Sequence, residues 1–256
     1  PESKHGCKPT ILVGGFFDSY NEVVKLCSKD ELYTLSFRNE LCNMVQYGIG
    51  NYFSDDISDE FIFSDGDRGK MIFYIIHSLE YCKQDKFKDA IKFMKKAYRK
   101  VENFDDKTAL ENLKRLYNIY SEINEMDIKE LYNNYISGFY GVKAKLTNGR
   151  ASNYYKNLTY NKVACVITIA DDDGKFRTIH KAKGDEFKSV LLLLQPKENY
   201  NEEDELAFLL NPDMNNESHR VYYVALSRAM ENLYISVPQL SEENRSKLNS
   251  FDIMDI

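Results

Sequence analysis

The chain has 256 residues, of which 43% are hydrophobic and 13% aromatic, and its formal net charge is −6. This composition excludes a disordered chain, and no apolar run approaches the roughly 18 residues of a membrane-spanning helix. The five scattered cysteines and four histidines show no metal-ligand spacing, which favours reduced thiols, a cytoplasmic protein, no membrane partner and no metal site.

Residues 1–52 alternate short apolar runs with turns. The sequence predicts a strand, a helix, a second strand and a second helix, in the runs TILVGGFF, SYNEVVKLCS, ELYTLSF and RNELCNMVQYGIG. This order is typical of a parallel sheet covered by helices, so we expect the first part of an α/β domain here.

Residues 53–160 have a different period. Four amphipathic helices are predicted, in GKMIFYIIHSLEYCKQ, KDAIKFMKKAYRKVE, KTALENLKRLYNIYSEI and DIKELYNNYISGFYG. We interpret this block as an all-helical subdomain inserted into the α/β domain. Eight Lys and Arg residues against two Asp between Lys83 and Lys100 are typical of a solvated helix face, with a nucleic-acid contact as the sharper alternative.

Residues 161–256 return to the α/β texture. The pattern leaves open whether YNKVACVITI is a strand or the end of a helix, and it predicts a turn at DDDG. The elements expected after that turn are a buried strand at VLLLL, an acidic loop from Glu198 to Glu205, a helix through SHRVYYVALSRAM and a final strand at NLYISVP.

The polar segment RTIHKAKGDEF, residues 177–187, directly precedes the leucine strand and is expected at the rim of the sheet, where α/β proteins bind ligands. At strand spacing, Thr178 and His180 would share one face. Gly184 would allow a close backbone approach, and Glu186 could accept hydrogen bonds from hydroxyl groups. Lys181 and Lys183 add positive charge, so the segment suits a polyanion that carries sugars, although an ordinary polar turn is the alternative.

A second candidate segment is SHRVYYVALSRAMENLYIS, residues 218–236. Its predicted helix buries Val221, Val224, Ala225 and Leu226. Arg228, one turn after Val224, would be held rigidly, as the stabilisation of a transferred phosphoryl group requires. The alternative is that Arg228 caps carbonyl groups or pairs with Glu231. The sequence contains no G-x-x-x-x-G-K-[ST] phosphate loop, so a self-sufficient NTPase is not expected.

These two segments resemble motifs V and VI of the UvrD/Rep-type superfamily-one DNA helicases. TIHKAKGDEF corresponds to the pattern T-[IV]-H-x-[AS]-K-G-L-E-F, and VYYVALSRA to L-x-Y-V-A-x-[ST]-R-A. The order and spacing of the two motifs also agree with that family. The resemblance implies the second RecA-like domain, with residues 1–52 and 161–256 as its two parts and residues 53–160 as the inserted, 2B-like subdomain.

The resemblance also implies roles for single residues. Thr178, His180 and the neighbouring Lys181 and Lys183 would contact single-stranded DNA, together with Asn39, which falls at an R-[ST]-N-like segment. The Gly184 backbone would contact the DNA and also belong to the nucleotide site, and Glu186 would reach the ATP ribose or order that loop. Arg228 would be the arginine finger on the γ-phosphate. Tyr223 and Ser227 would support Arg228.

The sequence departs from the family pattern at Asp185, where most members have Leu. We expect a C-terminal portion of an ATP-dependent 3′–5′ DNA helicase, inactive as an ATPase without its N-terminal RecA-like partner domain. ATP and Mg²⁺ would be bound in the full-length parent and neither by this portion alone. The alternatives are a stand-alone nucleic-acid-binding or regulatory module and a structural interaction domain. The net charge argues only against binding of nucleic acid through bulk charge.

Overall fold

The computed structural model describes residues 7–51, 57–168, 174–196 and 199–256, and for residues 57–64 the backbone alone. The chain divides into two compact units, one of residues 1–52 and 169–256 and the other of residues 53–168. The second boundary therefore lies after residue 168 and not after residue 160, as the sequence had suggested, because residues 160–167 form a helix that packs within the helical unit.

The first four elements confirm the predicted order. They are strand β1 (Thr10–Val13), helix α1 (Phe16–Leu26), strand β2 (Leu32–Ser36) and helix α2 (Asn39–Gln46). The strand predicted in TILVGGFF ends at Val13, since Gly14 has a φ of 150° and Gly15 already caps α1. Phe16 and Phe17 therefore belong to the helix.

The helical unit contains more helices than the four that the sequence predicts. They are α3 (Ile57–Lys83), α4 (Phe87–Ala97), α5 (Asp106–Tyr117), α6 (Tyr120–Ile123), α7 (Ile128–Leu131), a π-helix (Tyr132–Ile136), α8 (Arg150–Lys156) and α9 (Tyr160–Ile167). Helix α3 is broken at Asp65 and Gly66, whose backbone angles are not helical. The ambiguous run YNKVACVITI is helical up to Ile167, because α9 buries Val163 and Ala164.

The second part of the sheet unit carries the two motif-like segments. Its elements are β3 (Phe176–Thr178), a 3₁₀ turn (Ile179–Ala182), β4 (Phe187–Leu193), α10 (Glu202–Glu205), α11 (Ala207–Leu210), α12 (Glu217–Leu226), β5 (Ala229–Val237), α13 (Glu242–Lys247) and β6 (Asp252–Asp255). The acidic loop thus contains α10, while Glu198 and the aspartates of DDDG lie outside the described residues.

The six strands form one parallel sheet in the order β3-β2-β4-β5-β1-β6, which confirms the expected α/β class. The central strands are buried on both faces, as the leucine run of β4 required. Because all strands point the same way, their carboxyl ends share one edge of the sheet and their amino ends the other. No helix that the structure describes is long and apolar enough to cross a membrane.

Candidate functional site

The segment of residues 177–187 crosses the sheet from its carboxyl edge to its amino edge. Strands β3 and β4 pair with opposite sides of β2, and both run parallel to it, so the chain between them must return along the whole strand. The 3₁₀ turn buries Ile179 and Ala182, and residues 183–186 complete the crossing to β4. The predicted site residues are therefore not at one rim, but at two edges about 20 Å apart along β4.

Three of the predicted DNA contacts, Thr178, Asn39 and His180, lie at the carboxyl edge. Thr178 is the last residue of β3 and lies opposite Ser36, the last residue of β2. Asn39 begins α2, and its side-chain oxygen is buried and accepts no hydrogen bond among the described residues. His180 is exposed, with its ring centroid 5.9 Å from that of Phe37.

The expectation that Thr178 and His180 share a strand face is wrong. Strand β3 ends at Thr178, and His180 belongs to the 3₁₀ turn, whose inward positions are taken by Ile179 and Ala182. The physical reason is the crossover itself, since a chain that leaves the end of a strand must turn back over the sheet. His180 is exposed because of its position in the 3₁₀ turn, and not because of the alternation of side chains along a strand.

A basic groove continues from His180 along the same face. It has a volume of about 350 Å³, and its apolar floor is formed by Ile179 together with two residues of α12. The polar groups of its lining are His180, Lys183, Arg220 and Glu217. Lys183 and Arg220 carry positive charge and Glu217 carries negative charge, so the groove combines a mainly apolar lining with a small excess of positive charge. Arg220 was not predicted. Lys181 is half-buried and does not line the groove.

Arg228 lies at the opposite, amino edge, two residues after the end of α12. Its guanidinium Nε donates to the Val224 carbonyl at 3.1 Å, Nη1 donates to the Asp185 carbonyl at 2.9 Å, and Nη2 donates to the Ser227 hydroxyl at 3.0 Å. A cation at the carboxyl terminus of a helix is also favoured by the helix dipole. These three bonds hold the guanidinium in one place and leave two of its five N–H groups without a partner among the described residues.

The structure therefore brings Arg228 against the segment that carries Gly184 and Glu186. Besides the bond to the Asp185 carbonyl, the Phe187 amide donates to the Arg228 carbonyl at 2.8 Å. The Ser227 hydroxyl contacts the guanidinium directly. Tyr223 contributes its carbonyl oxygen, which accepts from the Ser227 amide at 3.0 Å, while its side chain is 58% exposed.

A wide cleft of about 660 Å³ opens at this amino edge. Gly184 and Glu186 line it, with Glu31 and Lys188 on the same wall. Glu186 is exposed, and Gly184 has a φ of 96°, a conformation that glycine adopts without strain. Arg228 is outside this lining, so the cleft and the guanidinium are neighbouring but separate features of the amino edge.

Asp185, which departs from the family pattern, forms an ion pair inside this segment. Its carboxylate lies 2.7 Å from Nη1 of Arg177, whose side chain is only 7% exposed. The Arg177 guanidinium also lies 5.2 Å from the Tyr33 ring and 5.3 Å from the Phe187 ring, and its Nε donates to the Gly174 carbonyl. The acid therefore compensates a buried arginine and is not an isolated negative charge at the carboxyl edge.

Neither Arg177 nor its role was predicted. The signal in the sequence was the acid at a position that is usually leucine, eight residues after an arginine. The Arg177 carbonyl also accepts from the Cys42 thiol at 3.4 Å. Burial raises the pKa of that thiol to about 12, so Cys42 serves as a core donor and not as a nucleophile.

In the described part of the chain, no three His, Cys, Asp or Glu side chains lie close enough together to hold a metal ion.

Residues 75–239 match the model of the UvrD-like helicase C-terminal domain. This range extends from α3 to just beyond β5 and contains both motif-like segments, while Phe37 and Asn39 lie outside it. No curated protein sequence matches the chain significantly.

Proposed function

Because the chain belongs to the UvrD-like helicase C-terminal domain family, we propose that it supplies the second RecA-like domain of an ATP-dependent 3′–5′ DNA translocase or helicase. The observation that carries this proposal is the crossover segment of residues 177–187. It presents Thr178 and His180 at one edge of the sheet, and Gly184 and Glu186 beside Arg228 at the other.

At the carboxyl edge, the proposed ligand is single-stranded DNA. Thr178 and Asn39 would contact it where β3 and β2 end, and the basic groove would receive its phosphates. Lys181 would contribute positive charge near this path. Phosphate contacts position a strand without reading its sequence, which suits a motor that must move along any DNA.

At the amino edge, the proposed ligand is ATP, shared with a first RecA-like domain that carries the phosphate loop. Glu186 is exposed and can accept hydrogen bonds from ribose hydroxyls, and Gly184 has no Cβ to obstruct a ligand. Arg228 would direct its two remaining N–H groups to the γ-phosphate. A guanidinium that is already fixed stabilises developing charge without reorganising during the reaction. Mg²⁺ would be bound by the other domain.

An arginine with a purely structural role would make the same three hydrogen bonds. The two roles differ in how strongly loss of the side chain lowers stability and turnover. Removal of three bonds from a partly exposed guanidinium costs about 1–3 kcal/mol of stability. Against the usual stability of about 5–15 kcal/mol, such a loss leaves nearly all molecules folded. Loss of an arginine finger, in contrast, lowers turnover by about three orders of magnitude or more.

The test is single-strand-stimulated ATP hydrolysis by the chain together with its phosphate-loop domain, with Arg228→Ala compared with the wild type. The matched control is Arg245→Ala, which removes another arginine of the sheet unit that donates to a carbonyl, that of Leu240, and pairs with Asp255. We expect a loss of about a thousand-fold for Arg228→Ala and less than two-fold for the control, with oligonucleotide binding retained in both. Equal turnover of the two variants would favour the stand-alone binding module.

A further inference from the structure

The carboxyl edge carries an exposed aromatic ring that no motif accounts for. Phe37 directly follows β2 and is 38% exposed. It occupies the first position of the segment Phe37–Asn39, where the R-[ST]-N-like pattern has arginine. A single exposed phenylalanine is common on protein surfaces and would need no explanation.

Phe37 is not isolated, however, since it belongs to a continuous series of rings. Its centroid lies 5.9 Å from that of His180, in an edge-on arrangement, and 6.1 Å from that of Tyr222. Tyr222 in turn stacks on Phe208 at 4.2 Å. The series leads from the basic groove, which His180 lines, into a second cavity beyond Phe37.

This second cavity has polar and apolar surface in similar amounts, whereas the lining of the basic groove is mainly apolar. Its volume is about 550 Å³, within the range of about 300–1,000 Å³ that is usual for ligand sites. Three of its lining residues are aromatic, namely Phe37, Phe208 and Tyr222. The polar part of its lining is formed by Arg38, Gln195, Asp204, Glu205, Asn216, Ser218 and His219. Aromatic walls with hydrogen-bonding groups and two acids suit a nucleobase better than a phosphate.

The two cavities lie on either side of one helix. Glu217, Arg220, Val221 and Val224 of α12 face the basic groove, while Ser218, His219 and Tyr222 face the aromatic cavity. Phe37 lines the aromatic cavity, and its ring contacts His180, which lines the groove. A nucleotide has the same division, with an anionic backbone on one side and an apolar, hydrogen-bonding base on the other.

We propose that Phe37 is a stacking platform for one base of the bound single strand, which enters the aromatic cavity while its backbone lies against His180, Lys183 and Arg220. The proposal rests on the proposed function, since it names a contact of the same DNA. Stacking on an aromatic ring tolerates every base, because each base has a π-face. The contact therefore adds affinity without sequence preference.

The test measures binding of a labelled oligothymidylate to the 256-residue chain by fluorescence anisotropy. We expect Phe37→Ala to weaken binding by about ten-fold or more and Phe37→Trp to retain it. The dependence of binding on salt should stay unchanged in Phe37→Ala, but should fall by about one phosphate equivalent in Lys183→Ala. Phe139→Ala, which truncates a phenylalanine of the helical unit that is 37% exposed and lies outside the basic run of Lys83 to Lys100, is the control and should bind as the wild type does.

A second series uses oligonucleotides with one abasic position. Wild-type binding should weaken when the abasic position reaches Phe37, and Phe37→Ala should lose this sensitivity. If the wild type binds DNA and Phe37→Ala binds equally well, the stacking contact is refuted while the proposed DNA interface stands. If the wild type binds no single-stranded DNA, both the proposed function at this edge and the stacking contact are refuted.

Discussion

The ion pair between Arg177 and Asp185 leads to the sharpest prediction about the crossover segment. Substitution of Asp185 by Asn preserves the shape of the side chain but removes its charge. The Arg177 guanidinium, 7% exposed, then retains the Gly174 carbonyl and two aromatic rings as partners, but no anion. A buried charge that loses its counter-ion destabilises the folded state, since it cannot regain its hydration.

The expected magnitude follows from the unequal exposure of the two partners. Breaking a fully buried pair costs about 3–5 kcal/mol, and breaking an exposed pair about 0.2–1 kcal/mol. Asp185 is 50% exposed while Arg177 is buried, so water screens one side of the pair only. We therefore expect Asp185→Asn to lower the free energy of unfolding of the sheet unit by about 2 kcal/mol, between these limits.

Hydrogen exchange read by peptide mass analysis measures this loss in the sheet unit and in the helical unit separately. Peptides from β2 and β4 should exchange faster in Asp185→Asn, and peptides from α4 and α5 should serve as an internal control. A double-mutant cycle with Arg177→Met should give a coupling of about 2 kcal/mol, because removing both charges leaves no unpaired ion. A change below about 0.5 kcal/mol in Asp185→Asn, or additive single effects, would refute the assignment.

Three further predictions concern stability. Burial lowers the pKa of His77 to about 4, so between pH 6.5 and pH 4 the unfolded chain binds a proton that the folded helical unit does not, and this unit should lose about 3 kcal/mol as the pH falls. His77→Phe should remove that slope in urea unfolding, and an unchanged slope would assign it to other groups. The Tyr160 hydroxyl donates to the buried Glu80 carboxylate at 2.6 Å, so Tyr160→Phe should cost about 1.5–3 kcal/mol in the same assay. Tyr117→Phe, at a ring that is 37% exposed, is its control and should be within about 0.5 kcal/mol of the wild type. Gly184→Ala should cost about 1–2 kcal/mol through its φ of 96° alone, because an added Cβ would meet no atom within 4 Å. Gly50→Ala, where the Cβ would make an ordinary contact with Phe17, should be nearly neutral, and equal effects of both substitutions would contradict this account.

The sequence predicted those elements whose burial is uniform or strictly periodic. Strands β1, β2, β4 and β5 contain stretches of buried apolar residues because they lie inside a parallel sheet. Strand β3 has only three residues and β6 pairs on one side only, so neither produces such a run. Helix α9 was ambiguous because its Val and Ile residues favour strands, and only packing against α3 makes it helical.

The candidate site was predictable as far as the motif patterns reach. They pointed to Thr178, His180 and Arg228. They did not predict the contacts of this segment, because the crossover is what brings Asp185 to Arg177 and the Asp185 carbonyl to Arg228. The sequence did not predict the 3₁₀ turn. Thr178, Ile179 and His180 alternate polar, apolar and polar, and this alternation occurs at the start of such a turn as well as in a strand. The division of the site between two edges is a property of topology and not of local sequence.

The same topology makes the crossover depend on a second turn after the 3₁₀ turn. The Asp185 amide donates to the Ala182 carbonyl at 3.3 Å, and Gly184 has a φ of 96° inside the turn that this bond closes. Only Asp185 and Glu186 follow before β4 begins at Phe187. Because glycine adopts this φ without strain and other residues do not, the residue at position 184 directs the chain from the 3₁₀ turn to the amino edge. The positions of Glu186 and of the Asp185 carbonyl that accepts from Arg228 therefore depend on this turn.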